Sequence, residues 1–412
     1  MRVVVDVSVV GLARLYETAR TGIYRVISSL IPELSAIKDC EVYFTSLSST
    51  EINLLVEELF SATGHDNRFI GPADVEKTLF QYAKSLSVID RKKILQRLVA
   101  KVFRRGNILK AIGQADVFHS TFSPLPDVEI APLSFLTIYD MIPVLHPEYF
   151  WDDFDQEFQQ ILSSVTVGRD CILTISESSK EDICSYLKID PEMVYVAYPA
   201  ADTGIYYPET DGEKKQRILK KYHIPAPEYF LSLATLEHRK NLRTSIDAFR
   251  RVLHEPGMGG QYLVLVGTKG WKVNELLDEV ATDPLLRERV IVTGYVDDED
   301  LSAIYSNAVA FIYPSLYEGF GLPPLEAMQC GVPVITSNTS SLPEVIGGAG
   351  ILVAPTDVDA LAQAMFDIRH DSRLRKLLVK RGIEQAARFS WSRCAGETVA
   401  AYQHAFAGMK NN

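Results

Sequence analysis

Six short runs rich in β-branched residues alternate with longer stretches of helical periodicity: VVVDV (3–7), EVYFTS (41–46), DVFHS (116–120), LSFLTIYDM (133–141), CILTIS (171–176) and VYVAYP (194–199). Apolarity in these runs is continuous rather than alternating, as strands buried on both faces require, so they read as a parallel sheet covered by helices. After the polar, proline-marked stretch YPAADTGIYYPETDGEKK the rhythm restarts, with YFLSLATLE (229–237), YLVLVG (262–267), VIVTGYV (290–296), VAFIYPS (309–315) and VPVITS (332–337). The pattern predicts an α/β chain of two Rossmann-like, doubly wound parallel-sheet domains, 1–203 and 204–390. A final helical pattern follows over about 391–412, and periodicity alone does not say where it packs.

At 412 residues the chain exceeds one ordinary core, which agrees with two domains. A net charge of -11 argues against a general nucleic-acid binder, since gripping a phosphate backbone needs a broad basic surface. The cysteines Cys40, Cys171, Cys184, Cys330 and Cys394 are scattered, form no CxxC pair and read as reduced thiols. The opening MRVVVDVSVV fits a first buried strand better than a signal peptide, and no apolar run approaches the ~18 residues that cross a bilayer. A cytoplasmic protein is the expectation. One basic stretch, RKKILQRLVAKVFRR (91–105), has two open readings: a helix resting on anionic lipid at the inner membrane face, or a packed helix with a solvated outer face.

The stretch YEGFGLPPLEAMQCGVPV (317–334) places Glu318 and Glu326 on either side of a loop that is glycine-rich first and proline-rich second. Gly319 and Gly321 let the backbone turn tightly and approach a ligand, leaving the N–H groups of Phe320, Gly321 and Leu322 to face an anion. Pro323 and Pro324 suit the first turn of a helix over LEAMQC, whose N-terminus favours phosphate and whose first turn is expected to hold Glu326. A carboxylate accepts two hydroxyl hydrogen bonds, so one glutamate on each side of a phosphate cradle suits a nucleotide sugar. Arg239 and Lys240, in EHRKN at the end of another strand, supply cationic charge for a diphosphate, so no metal is expected. The acidic run DDED (297–300) reads as a helix N-terminal turn rather than a metal site, and WDDFDQEF (151–158) as a solvated helix start. His146 reads as a packed loop residue.

LATLEHRKNL, VTGYVDDEDLSAIYSNA and YPSLYEGFGLPPLEAMQCGVPVITSNTSSLPEV resemble the donor-binding domain of retaining GT-B glycosyltransferases of the large family 4 group, bacterial mannosyltransferases among them. TGIYRV (21–26), YDMIPVLHPEYF (139–150) and TISESSKEDI (174–183) extend the resemblance to the first half. It implies the GT-B architecture, with an acceptor-binding first domain, a donor-binding second domain, an active site in the cleft between them and a last helix crossing back to the first domain. By this resemblance Glu318 contacts the transferred sugar and Glu326 the ribose, while the Phe320, Gly321 and Leu322 backbone meets sugar and phosphate. Arg239 and Lys240 hold the diphosphate, Gly22 lets the first domain approach the phosphates, and Val296 lies at the base. Asp140 is carried over as a catalytic residue, or it caps the following turn. Two departures bear on the donor: Thr235 stands where many relatives have an arginine, and Tyr139 where many have a histidine.

The activity implied is retaining, metal-independent transfer of a sugar from a nucleoside diphosphate to a saccharide or lipid-linked saccharide acceptor. GDP-mannose is the first guess, with other GDP- or UDP-sugars behind it. Two rivals are a nucleotide-sugar epimerase of the same architecture and a nucleotide-sugar-binding protein of weakened turnover.

Overall fold

A computed structural model describes residues 1–16, 22–64, 68–71, 112–150, 154–225, 227–268 and 274–411. The basic stretch 91–105 lies outside them. The first sheet contains β1 (Arg2–Asp6), β2 (Glu41–Thr45), β3 (Phe69–Ile70), β4 (Val117–Ser120), β5 (Leu133–Thr137), β6 (Cys171–Thr174) and β7 (Val194–Val196). All neighbours pair in parallel, in the order β3-β2-β1-β4-β5-β6-β7. The second sheet contains β8 (Tyr229–Leu233), β9 (Leu263–Val266), β10 (Val290–Gly294), β11 (Ala308–Tyr313), β12 (Val334–Ser337) and β13 (Ile351–Val353), again all parallel, in the order β10-β9-β8-β11-β12-β13. The chain thus forms two parallel-sheet domains.

Alternation along single strands shows why the runs are apolar throughout. In β8, Tyr229 and Leu231 pack into one core while Phe230 packs into the core on the other face, and in β11 Phe311 and Tyr313 oppose Ala310 and Ile312. β1 divides likewise, with Val3 and Val5 on one side and Val4 on the other. Burying both faces favours apolar residues along the strand, and a polar exception such as His119 in β4 is held by hydrogen bonds on both ring nitrogens.

Residues from Ala201 onward, including Tyr206, Ile218 and Leu219, pack with the second sheet. The terminal helix Trp391–Asn411 returns: Cys394, Ala395, Val399 and Tyr402 join the core of the first sheet with Val3, Val5, Phe135 and Leu173. The Tyr402 hydroxyl lies 2.6 Å from His119 Nδ1 in that core, and His119 Nε2 lies 2.7 Å from Thr137 Oγ1. No helix among the described residues is long and apolar enough to cross a membrane.

The sequence reading differs from the structure in two local respects. β3 and β13 were not expected. Pro323 and Pro324 do lie in the first turn of their helix, but that helix begins at Leu322, so Glu326 stands one turn inside it rather than in its first turn. The helix foreseen in 151–158 is described from Phe154, residues 151–153 lying outside the described set.

Candidate active site

Strand order reverses between β8 and β11, the place where open parallel sheets leave a crevice beyond their carboxyl ends. The loop after β8 runs through Thr235 into a single 3-10 turn, His238–Lys240, and ends at Asn241 with φ +53°, a left-handed conformation asparagine tolerates. Asn241 Nδ2 donates to the Pro314 carbonyl (2.9 Å) and to the Pro355 carbonyl (2.5 Å). The Arg239 carbonyl accepts from the Leu316 N–H (2.9 Å) and the Ser315 hydroxyl (3.0 Å). The loops after β8 and β11 are therefore stitched together, which holds two cations over one carboxylate.

That carboxylate is Glu318. Its Oε1 accepts from Lys240 Nζ (2.7 Å), the Tyr313 hydroxyl (2.8 Å) and the Ser315 hydroxyl (2.6 Å), and its Oε2 accepts from an Arg239 nitrogen (2.7 Å). Arg239 also donates to Glu237 (2.8 Å) and to the Tyr317 carbonyl (2.8 Å). Burial opposes ionisation of Glu318, yet Arg239 and Lys240 hold its carboxyl down to about 2. Burial and the neighbouring guanidinium push the Lys240 ammonium below the ordinary lysine range, against the pull of Glu318.

Asp140 reaches the same place from the first domain, just past β5. Its Oδ1 accepts from the Ile142 N–H (3.0 Å), so it does cap the following turn. Its other oxygen faces Gly319, where an added Cβ would sit 2.7 Å from Oδ2; glycine is required there by close approach. Burial raises the Asp140 carboxyl, Arg239 lowers it, and Glu318 raises it further. Tyr139 is buried beside it, its phenol pushed up by desolvation. His146 stacks on Tyr149 (centroids 5.2 Å apart) and meets Tyr317 at a tilt (4.8 Å), as a packed loop residue does.

Gly321 has φ +110° and would place a Cβ 2.7 Å from Leu342, so only glycine fits this entry to the Leu322–Gln329 helix. The N–H groups of Gly319, Phe320, Gly321 and Leu322 find no acceptor among the described residues. They form a row of unused donors at a helix N-terminus, suited to an anion. Glu326, one turn on, is buried and accepts from the Tyr305 hydroxyl (2.9 Å). Burial raises its carboxyl, against the lowering effects of Arg25, Tyr206 and Tyr305.

Arg25 belongs to the first domain, on the helix Gly22–Ala36, and crosses the gap. It donates to the Tyr206 hydroxyl (2.9 Å) and to Asp298 (2.6 Å) of the second domain. Gly22 opens this helix and faces open space, with nothing within 4 Å of an added Cβ, so packing does not demand glycine there. The acidic run 297–300 is indeed a helix start (Asp298–Ser306), its Asp297 and Asp300 paired with Lys221 at 2.8 and 2.6 Å.

One interdomain cleft of about 460 Å³ is lined by every candidate residue named from the sequence: Gly22, Tyr139, Asp140, Thr235, Arg239, Lys240, Val296, Glu318, Phe320, Gly321, Leu322 and Glu326. Arg25, Tyr206, Tyr313 and the exposed Tyr295 share the lining and were not anticipated. Arg25 alone had a local signal, a cation in the TGIYRV stretch; its partners lie too far along the chain to read.

Two parallel-sheet domains with a cleft at their carboxyl ends define a protein of the GT-B class. A family model described as "Glycosyl transferases group 1" matches residues 214–385. O-antigen chain mannosyltransferase B of Escherichia coli is 36% identical over 268 residues, covering 65% of this chain and 69% of that protein. Serotype-specific mannosyltransferase WbdA of Escherichia coli is 33% identical over 258 residues, 62% of this chain but only 32% of that longer protein. Among solved structures, sucrose-phosphate synthase from Thermosynechococcus elongatus superposes over 99% of both chains with a TM-score of 0.66 at 18% identity, a likeness of fold. The chain belongs to the group 1 glycosyl transferases and is a glycosyltransferase.

Proposed function

We propose that this glycosyltransferase is retaining and metal-independent, and moves mannose from GDP-mannose to a saccharide or lipid-linked saccharide acceptor in surface-polysaccharide assembly. The observation that carries the reading is the pairing of Arg239 and Lys240 over Glu318 beside four unused backbone N–H groups. Mannose and polysaccharide assembly are suggested by the relatives, whose printed names include O-antigen chain mannosyltransferase.

In this reading the diphosphate lies between the cations and the backbone row, with the sugar toward Glu318 and Asp140 and the ribose toward Glu326. The bond between the anomeric carbon and the phosphate oxygen breaks, and its electron pair leaves with the diphosphate. An acceptor hydroxyl on the same face of the sugar forms the new bond and passes its proton to the departing phosphate oxygen. The transition state carries growing negative charge on the leaving group, so Lys240, Arg239 and the N–H row contribute most where that charge appears. The cations do what a divalent ion would do elsewhere.

The test is an incubation of the protein with GDP-mannose, other GDP-sugars or UDP-sugars, with and without oligomannoside acceptors, in the presence of EDTA. Acceptor-dependent release of GDP with an α-linked product supports the reading. Loss of transfer in EDTA, a β-linked product or preference for another donor would each remove the corresponding part. An epimerised donor formed without acceptor would replace it with the epimerase reading.

A further inference from the structure

The Gly319 carbonyl is held by the opposite domain. The helix Glu177–Leu187 follows β6, and its cap residue Ser176 donates from Oγ to the Gly319 oxygen at 2.6 Å; Ser179 Oγ does the same at 3.2 Å. Both serines are buried. A hydroxyl has one proton to donate; Ser176 Oγ accepts from the Ser179 N–H (3.0 Å) and also lies 2.9 Å from Ser179 Oγ, so the two hydroxyls and the carbonyl close a triangle in which at least one proton goes to the Gly319 oxygen. The cap needs only Ser176, so the second hydroxyl is surplus to the helix.

The consequence follows from peptide planarity. In a trans peptide the Gly319 carbonyl and the Phe320 N–H belong to one rigid plane and point in opposite directions. Pinning the oxygen to the first domain turns that N–H away from the serines, toward the cleft that Gly319 and Phe320 line. Within the second domain Ser341 Oγ plays the same part for the flanking units, lying 2.9 Å from the Glu318 carbonyl oxygen and 2.7 Å from the Phe320 carbonyl oxygen with its one proton shared between them, while Ser340 Oγ accepts from the Glu318 N–H (2.9 Å). Three successive peptide units are thus aimed by serine hydroxyls, and the middle one is aimed from the other domain. The dock is reinforced nearby. Glu344 accepts from the Glu177 and Ser178 N–H groups (3.1 and 3.2 Å), and the Tyr317 hydroxyl donates to Asp182 (2.6 Å).

We infer that Ser176 and Ser179 are positioning residues of the donor site: by holding the Gly319 carbonyl they orient the Phe320 N–H toward the donor's anionic group. The phosphate cradle of the second domain is completed by the first, a conclusion that rests on the donor reading above. Neither serine touches the donor.

The experiment compares wild type with Ser176→Ala/Ser179→Ala, and with Ser179→Ala alone, which leaves the cap intact. Calorimetric affinities are measured for whichever of GDP and UDP wild type binds and for the matching nucleoside, beside KM values for donor and acceptor. The expected result is about a tenfold loss of diphosphate affinity in the double variant, as removal of one charge-assisted hydrogen bond produces. Nucleoside affinity and acceptor KM should stay within twofold, and Ser179→Ala should give a smaller shift in the same direction. Equal loss for diphosphate and nucleoside would mean the serines merely hold the domains together, and no loss would mean the peptide needs no help; either overturns the inference. If wild type binds neither diphosphate, the donor reading itself falls, an outcome distinct from both.

Discussion

Replacing Glu318 by glutamine separates the electrostatic role of this carboxylate from its shape. Glutamine keeps one acceptor oxygen, which can stay with Lys240, Tyr313 and Ser315, but it turns an N–H₂ toward the Arg239 nitrogen that now donates at 2.7 Å. The two buried cations then keep Glu237, ion-paired with Arg239, and the nearby Asp140 in place of Glu318. The carboxyl stands at about 2 against an ordinary 4.5, and at about 1.4 kcal/mol per pH unit its ionised form contributes roughly 3 kcal/mol. That agrees with the ~3–5 kcal/mol typical of breaking a buried pair from one side. For a domain of this size the expected fall in Tm is roughly 6–12 °C. The sign with pH follows: a carboxyl whose folded pKa is depressed contributes fully above about 4.5 and loses that contribution as pH falls toward 2. Thermal unfolding at pH 7, with and without GDP, is the assay. Because a diphosphate supplies the missing negative charge, GDP should raise the Tm of Glu318→Gln by more than it raises that of wild type, while sugar transfer falls. An unchanged Tm, or a GDP effect smaller than in wild type, refutes the account of Glu318 as counter-ion to the diphosphate cations.

Lys240→Ala should lower kcat about 100-fold or more in an initial-rate transfer assay, as loss of one donor to a developing anion does, and a fall of less than threefold would remove Lys240 from leaving-group stabilisation. Glu326→Gln should raise the stability of the ligand-free protein at pH 7: a carboxyl whose folded pKa is raised destabilises the native state increasingly as pH climbs past its unfolded value, and glutamine has no such charge. The same variant should bind GDP more weakly, so urea unfolding and calorimetry should move in opposite directions. Tyr402→Phe leaves a ring nitrogen of buried His119 without its partner and should cost about 1–3 kcal/mol in urea unfolding, with donor affinity unchanged.

The strands and the site differ in how they could be read from sequence, for a physical reason. A strand buried on both faces prints its burial into consecutive residues, so β1, β8 and β11 were plain as apolar runs, while β3 and β13, only partly buried, were not picked out. The EGFGLPPLE loop was legible because its glycines and prolines answer backbone demands: the left-handed φ of Gly321, the Asp140 approach at Gly319 and the prolines in a helix's first turn. What could not be read is which side chain satisfies which. Arg239 and Lys240 were expected to await a phosphate, and in the structure both are already engaged with Glu318, a pairing across 78 or more residues that no local spacing announces.

The contacts between the domains were less legible still, and they bear most directly on how the site works. Arg25 with Asp298, Ser176 with Gly319 and Glu344 with the start of the Glu177–Leu187 helix each join residues more than 140 positions apart. Their local sequence explains them otherwise: a serine before a helix is a cap, and an arginine on a helix is a solvated charge. Yet these contacts place Asp140 against Gly319 and set the peptide that faces the cleft. The second domain carries the residues that name the chemistry, but the first domain's helix starts determine where its loop amides point, so donor affinity in this enzyme should depend on substitutions far from any atom the donor touches.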